Sequence, residues 1–244
     1  MEKKRFGLSA STLRVLAVAL MVLDHLWATV VPGNNWMTWV GRAAFPIFAF
    51  QAAEGYVHTS DFKKYAKRLL VFALISEIPF DLFYIGAPVF PFHQNVMFTL
   101  LLGLLLVRQI DPARRGSGWK GWLKRVALVW LIVMAAAITF PDYGLRGVLT
   151  VAAFYVAGKL PGKQLWYLAA LIALNIVGFK GEMLLLPLFG QTVELPVQAF
   201  AVFAILPICL YNGRKGGGGK ALQWGSYAFY PVHMLILYLV RTLT

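Results

Sequence analysis

Asp24 and His25 are adjacent ionisable residues inside an otherwise apolar run, LRVLAVALMVLDHLWATVV. His25 follows Arg14 by eleven residues, about three helical turns, so both are predicted to share one helix face roughly 16 Å apart. A histidine can accept a proton from an attacking group or carry an acyl group itself, and an arginine suits a phosphate. Asp24 points in another direction and is predicted to pair with a neighbouring helix through Arg42.

Other apolar runs are also interrupted by ionisable and polar residues. Glu77 and Asp81 are four residues apart in SEIPFD, so they project from the same side of a helix. Pro79 between them is predicted to kink that helix. An ionised group at the centre of a bilayer costs about 2.5–3.5 kcal/mol on insertion scales, so each such residue needs a reason. The further candidates are Arg42, Glu54, His93, Asn95 and His233.

The elements that must position these residues follow from composition. The 244 residues are 59% hydrophobic and 14% charged, with a mean hydropathy of +0.68, which is too apolar for an ordinary soluble domain. We predict an all-α, polytopic membrane helical bundle forming a single domain over 1–244, with the first run retained as a helix rather than removed as a signal peptide. Nine runs approach the length of a membrane span: 10–31, 37–57, 64–86, 95–110, 122–140, 145–159, 163–180, 195–211 and 221–242.

The basic residues orient this bundle. The net charge is +13, and with the N-terminus inside, 19 of the 23 Lys and Arg residues fall on the cytoplasmic side. This distribution follows the positive-inside rule and predicts N-in, C-out topology in the cell membrane, plasma or inner, as a multi-pass protein in contact with the lipid bilayer. It explains the charge without nucleic acid, so no nucleic-acid partner is expected. The four exceptions are Arg42, Arg146, Lys180 and Arg241.

Depth and connections complete the sequence-based arrangement. On this topology most polar residues of the spans lie in the outer half of the membrane, whereas Glu54 lies near the inner end. The segment 180–196 is predicted to lie on the outer membrane surface, and NGRKGGGGK (212–220) is interpreted as a flexible inner linker without a motif. The lone Cys209 and the spacing of His, Asp and Glu predict no metal, although His25, His93 and His233 could converge in the fold.

Several stretches resemble a known family. The Arg14-x10-His25 spacing resembles a signature on the first helix of the acyltransferase-3 membrane enzymes. More closely, five stretches are similar, in order and over about half the chain, to the TraX family of pilin N-acetyltransferase-like membrane proteins. They are LMVLDHL (20–26), GRAAFPIFAFQAAEGYVHT (41–59), KKYAKRLLVFALISEIPFDLFY (63–84), QNVMFTLLLGLLL (94–106) and YPVHMLILYLV (230–240).

The resemblance implies an enzyme that moves an acetyl group across the membrane. Acetyl-CoA would be the cytoplasmic donor, and the acceptor amine or hydroxyl would lie at the outer side. Arg14 would meet a CoA phosphate, and the gap to His25 matches an extended pantetheine arm. His25 would act as general base or transient acyl carrier, with Asp24 in support.

The chemistry of an acyl transfer suggests roles for the other candidates. Arg42 or Asn95 would donate to the developing oxyanion. Glu77 and Asp81 would orient an acceptor amine or tune the histidine. His93 at the outer rim, Glu54 near the inner end and His233 on the last span complete the predicted lining.

Alternatives remain open at this stage. Intramembrane charges together with Pro46 and Pro79 also describe a small transporter or permease subunit, although no inverted repeat is visible. A non-enzymatic scaffold would leave the charges unexplained. The acceptor could be a peptide, a pilin-like protein, a glycan or a small amine, with residues 107–195 setting its specificity, and a homodimer is also open.

Overall fold

The computed structural model describes residues 6–114, 118–177, 181–188 and 191–243. Within these ranges the protein is mostly helical, which confirms the predicted dominance of α-structure. Lys3, Lys4, Arg5, Arg115 and Lys180, which entered the charge count, lie outside the described residues. The α-helices are α1 (Ala10–Thr29), α2 (Trp36–Gly41), α3 (Ala44–His58), α4 (Phe62–Ile85), α5 (Val96–Ile110), α6 (Trp119–Ile138), α7 (Gly144–Ala157), α8 (Lys163–Asn175), α9 (Ile205–Cys209) and α10 (Gly219–Leu243).

One segment departs from the helical prediction. Residues of the predicted surface segment form an antiparallel hairpin of β1 (Met183–Leu188) and β2 (Gln191–Pro196), with Met183 paired to Pro196. A 3-10 helix, Val197–Ala204, follows and leads directly into α9. The fold is otherwise helical, as predicted, and this hairpin is a local exception; β1 is an entirely apolar stretch, MLLLPL, paired with the more polar β2, QTVELP.

Two of the described helices are long and apolar enough to cross a membrane. Among the described residues, α1 and α6 are long and apolar enough to cross a membrane. Shorter apolar helices cover Val96–Ile110, Gly144–Ala157 and Val197–Cys209. Fifteen helical residues rise only about 22 Å, less than a hydrocarbon core of about 30 Å. Length and composition thus identify two spans, and nine remains a prediction.

A helix break separates α2 from α3 where one continuous helix was predicted over 37–57. Pro46 has no N–H, and its ring clashes with the carbonyl four residues earlier, which belongs to Arg42. The chain turns at Arg42 and Ala43, with Ala43 N donating to Val40 O at 3.2 Å in place of a regular helical bond. The break places Arg42 at a junction between helices.

Helix ends elsewhere follow ordinary capping chemistry. Ser9, Asp61 and Asn95 each accept a hydrogen bond from a backbone N–H in the first turn of α1, α4 and α5. Gly86 ends α4 in the left-handed conformation at φ 78°, which glycine adopts without strain. Gly86 and Asn95 together fix where the loop between α4 and α5 begins and ends.

The core forms around α3, which packs against α1, α5 and α7, while α4 packs against α10. Helices α5 and α7 approach closely, since a Cβ on Gly103 would lie 2.7 Å from Val151 Cβ. By contrast, α6 buries only Ile132 and Ala136 among its described side chains. Its exposed tryptophans and leucines suit a lipid-facing helix.

Asp111, just beyond α5, ties three helices together. Its carboxylate accepts from Tyr56 Oη of α3 at 2.8 Å, and its other oxygen lies 3.5 Å from Lys159 Nζ beyond α7. Burial raises the pKa of this carboxyl, but hydrogen bonds from Tyr155, Tyr56 and Ala113 N, with the Lys159 charge, outweigh burial and lower the pKa to about 2. The ionised form is therefore the one that the fold stabilises.

We expect Asp111→Asn to lower the free energy of unfolding at pH 7 by on the order of 2 kcal/mol, because a depressed carboxyl pKa contributes stability above its unfolded value. The difference from the wild type should shrink as the pH falls from about 4 towards 2, where the native carboxyl also gains its proton. Denaturant titration in detergent micelles measures both effects. The exposed Glu194→Gln is the matched control and should change stability by less than about 0.5 kcal/mol.

Candidate functional site

Two buried histidines meet between α1 and α10. His25 Nδ1 lies 2.7 Å from His233 Nε2, and the two side chains come from positions 208 residues apart. His25 is 7% exposed and His233 is 5% exposed. The last predicted span therefore contributes directly to the environment of the candidate catalytic histidine.

The hydrogen-bond chain fixes the tautomer of the neutral rings. His233 Nδ1 lies 2.9 Å from Phe229 O, and a carbonyl only accepts, so Nδ1 carries the proton. His233 Nε2 is then an acceptor, and His25 Nδ1–H donates to it. His25 Nε2 is left without a proton, and within the described parts of the chain it has no hydrogen-bond partner. It is the nitrogen that can accept a proton from a substrate.

His25 lines a small cavity of about 50 Å³. Asp24, Arg42, Tyr84, Asp142 and Tyr143 contribute to the same lining. This His25 cavity combines an imidazole, a guanidinium, two carboxylates and phenol hydroxyls in otherwise apolar surroundings.

Asp24 is held by α2. Thr38 Oγ1 donates to Asp24 Oδ1 at 2.6 Å, and Arg42 Nη2 lies 3.7 Å from the same oxygen. The predicted pairing of Asp24 with Arg42 is therefore present. Close packing maintains it, because a Cβ added to Gly41 would lie 2.6 Å from Asp24 Cβ.

Arg42 reaches the cavity from the α2–α3 break. Its Nε is buried and has no hydrogen-bond partner among the described residues. A guanidinium N–H without a protein acceptor is available to a negatively charged oxygen.

The predicted Glu77, Asp81 and Asn95 belong to a separate polar cluster. Asn95 Nδ2 donates to Glu77 Oε2 at 2.5 Å and to Ala73 O at 2.8 Å, while Asn95 Oδ1 caps α5. Asp81 Oδ2 accepts from Phe90 N at 2.7 Å. These bonds join α4 to the following loop, and none of the three residues is in the lining of the His25 cavity.

His93 reaches the cavity through Asp142. His93 Nε2 lies 3.8 Å from Asp142 Oδ1, and this contact raises the pKa of His93 above its usual value, since the carboxylate favours the imidazolium. The backbone joins the same loops, because Asp142 N donates to Gln94 O at 2.7 Å. His93 therefore positions a residue of the lining rather than forming it.

Arg14 and Glu54 line a second, larger cavity of about 640 Å³ at the other end of α1. Glu54 Oε2 lies 3.5 Å from His58 Nε2 within this Arg14 cavity. A middle cavity of about 100 Å³ shares Arg14 and Tyr65 with it, and shares Met21 and Tyr230 with the His25 cavity. The three cavities are therefore neighbours in a row from Arg14 to His25, separated by side chains that they share.

A fourth cavity of about 170 Å³ adjoins the His25 cavity on the side of α7 and α8. It shares Arg42, Asp142 and Tyr143 with the His25 cavity and adds Arg146, Asn175 and others. Arg146 Nη1 donates to Leu174 O at 3.1 Å, which holds α7 to α8. Residues from the otherwise unassigned region 107–195 thus come next to the candidate site.

Sequence reasoning missed several of these residues. Tyr84 and Tyr143 have no distinguishing pattern in the sequence, and Asp142 has no predicted role in the site. Arg68 was counted only as a cytoplasmic charge, although its spacing of three residues from Tyr65 could have indicated a cation–aromatic contact.

A metal ion in a protein is held by several ligand side chains that lie close together. Across residues 6–114, 118–177, 181–188 and 191–243, no group of three or more His, Cys, Asp or Glu side chains is placed to hold a metal ion. His93 does not join His25 and His233, because it pairs with Asp142 instead.

A family model and several known proteins are similar to this chain over most of its length. A family model described as TraX protein matches residues 9–241. The probable fimbrial assembly protein FimC, serogroup H1, of Dichelobacter nodosus is 29% identical over 96% of both chains. The Protein TraX of Escherichia coli is 25% identical over 92% of this chain and 84% of its own length. No solved structure matches. The family match over most of the chain, with the two apolar spans, indicates a membrane protein, and the chain belongs to the TraX family.

Proposed function

We propose that the protein is a multi-pass acyltransferase of the cell membrane that moves an acetyl group from cytoplasmic acetyl-CoA to an acceptor on the outer side. The nine apolar runs cross or enter the bilayer with the N-terminus inside. The observation that carries this proposal is the row of neighbouring cavities from Arg14 to His25, whose Nε2 is unprotonated.

The donor enters from the Arg14 cavity. Arg14 and His25 are eleven helical residues apart in α1, a rise of about 16 Å. An extended pantetheine arm is of comparable length. With a CoA phosphate at Arg14, the arm occupies the middle cavity, and the thioester carbonyl reaches the His25 cavity.

Proton transfer at His25 completes the acyl transfer. The acceptor N–H or O–H attacks the thioester carbonyl carbon as His25 Nε2 takes its proton. The new C–N or C–O bond forms, the C–S bond breaks, and the resulting histidinium returns the proton to the CoA thiolate. His233 accepts from His25 Nδ1–H throughout, which keeps Nε2 directed to the reacting groups. An acyl-histidine intermediate remains an alternative route.

Arg42 is the better of the two oxyanion donors considered. Asn95 uses its amide hydrogens on Glu77 and Ala73 O, so they are not free for substrate. The Arg42 Nε has no such partner among the described residues. Removing one oxyanion donor costs on the order of 10²–10³ in turnover.

The acceptor approaches from the side of Arg146. The cavity there shares Asp142 with the His25 cavity and is built partly from residues of 107–195. One relative is named a fimbrial assembly protein, which favours a peptide or pilin-like acceptor over a glycan or a small amine.

Turnover by purified protein tests this function. In nanodiscs, the protein should transfer the label of acetyl-CoA to an added peptide amine, or slowly to water, with release of CoA, and should gain thermal stability on adding CoA. If CoA gives neither a stability shift nor turnover, while a solute gradient drives uptake into vesicles, the transporter alternative replaces this proposal.

His233 should act as a positioning residue. We expect His233→Ala to lower kcat about tenfold or more with little change in the KM for acetyl-CoA, because His25 loses the acceptor for Nδ1–H and its tautomer is no longer fixed. His233→Gln keeps an acceptor oxygen and should recover part of the loss. A purely structural role would instead show both variants reduced in proportion to their loss of folded protein.

A further inference from the structure

The lining of the Arg14 cavity carries more cations than carboxylates. Arg14, Arg68 and Lys215 all line it, against the single carboxylate of Glu54. Glu54 is 3.5 Å from His58, and none of the three cations forms an ion pair with a residue in the described ranges. Uncompensated cations that converge on one cavity favour an anionic ligand.

Arg68 is held in place by two aromatic rings. Its guanidinium carbon is 5.2 Å from the ring centre of Tyr65 and 5.2 Å from that of Tyr227. Its Nε is buried without a hydrogen-bond partner in the described part of the chain. The rings orient the planar guanidinium and leave its N–H groups for a planar or tetrahedral oxyanion.

Lys215 is fixed at the rim by the segment that the sequence suggested was a flexible linker. Ser11 N donates to Lys215 O at 3.0 Å, Ser11 Oγ donates to Gly217 O at 2.5 Å, and Ala10 N donates to Arg214 O at 2.8 Å. The predicted linker is anchored here, because backbone carbonyls of the segment accept hydrogen bonds from the free N–H groups at the start of α1. Lys215 is thereby placed beside the helix that carries Arg14.

We propose that Arg68 and Lys215, together with Arg14, bind the phosphorylated nucleotide end of the acyl donor, so that the enzyme selects a thioester carrying a nucleotide diphosphate over a bare pantetheine thioester. This inference rests on the proposed function. The three cations come from α1, α4 and the segment before α10, and they meet at the wide end of the row of cavities that leads to His25. The positive-inside rule accounts for their sign but not for their convergence.

A comparison of two acyl donors, acetyl-CoA and acetyl-pantetheine, distinguishes nucleotide binding by these cations from a structural role. In phosphatidylcholine nanodiscs, the wild type should show a KM at least tenfold lower for acetyl-CoA than for acetyl-pantetheine. Arg68→Gln should raise the KM for acetyl-CoA about tenfold, the loss of one charge-assisted contact, and leave the KM for acetyl-pantetheine unchanged. Lys67→Gln, the adjacent exposed cation outside the cavity, is the matched control and should change neither KM.

A second variant covers the case in which Arg68→Gln fails to fold. Lys215→Gln lies in an exposed segment and should raise the KM for acetyl-CoA alone, by about threefold. Equal increases for both donors in these variants would overturn the inference, as would a wild type that turns over both donors with the same KM.

The phosphate of an anionic lipid headgroup could bind the same three cations in place of the nucleotide phosphates. If Arg68→Gln changes the response to added phosphatidylglycerol while the preference between donors stays intact, the cations bind lipid headgroups and the inference is wrong. Absence of turnover with both donors would reject the proposed function and this inference with it, which differs from turnover without discrimination.

Discussion

His25→Gln is expected to lower acetyl transfer by about 10²–10⁴-fold, the usual contribution of a positioned general base. Glutamine fills similar space and can still donate to His233 Nε2, so the bundle keeps its packing. It has no nitrogen that accepts a proton from the attacking group. Single-turnover release of CoA, measured at saturating donor and acceptor, reports the loss directly.

Donor binding should survive the same substitution. The Arg14 cavity lies at the other end of α1, so CoA should still raise the melting temperature of His25→Gln as it does for the wild type. Normal insertion, normal CoA stabilisation and lost turnover together identify a catalytic role. Full transfer by a correctly inserted variant would remove His25 from the mechanism.

Gly41→Ala is expected to damage both stability and activity. The added Cβ would lie 2.6 Å from Asp24 Cβ and 3.1 Å from Asp24 N, so the backbones of α1 and α2 must separate. Overpacking of this kind costs about 1–3 kcal/mol. Because Asp24 and Arg42 line the His25 cavity, a displacement near 1 Å should also lower turnover by up to about 10²-fold. Denaturant titration and initial rates measure the two effects.

Gly225→Ala is the matched control within α10. A Cβ at this position meets nothing within 4 Å, so the substitution should leave turnover unchanged and stability equal or slightly higher. Wild-type activity in Gly41→Ala would show that contact between α1 and α2 does not control the site.

The helices, the shared face of Arg14 and His25, and the pairing of Asp24 with Arg42 could be predicted from the sequence. Each of the nine apolar runs overlaps at least one described helix, because burial and lipid contact both select continuous apolar stretches, although the run 37–57 is broken in two and the run 195–211 begins in β2. The face shared by Arg14 and His25 follows from helical geometry alone, and the row of cavities runs between them. The pairing of Asp24 with Arg42 could be predicted because an intramembrane charge needs a partner.

The rest of the site depends on contacts that sequence spacing does not encode. His233 meets His25 across 208 positions, and no periodic pattern links them. Asn95 was predicted to donate a hydrogen bond to the oxyanion of the substrate. In the structure its side chain caps α5 and donates to Glu77 instead, and the sequence does not show these contacts. The hairpin was missed because apolar residues of MLLLPL fit a membrane segment as well as a strand.

The contact between α1 and α10 has a consequence for biosynthesis. The ribosome synthesises α1 before every other described helix and α10 after them, so the histidine pair cannot form until α10 has been made. The Arg14 cavity has a similar dependence, because Lys215 and its neighbours close its rim and are synthesised after α1 to α9. A chain that lacks α10 and the segment before it would therefore lack both the partner of His25 and the Lys215 rim of the Arg14 cavity.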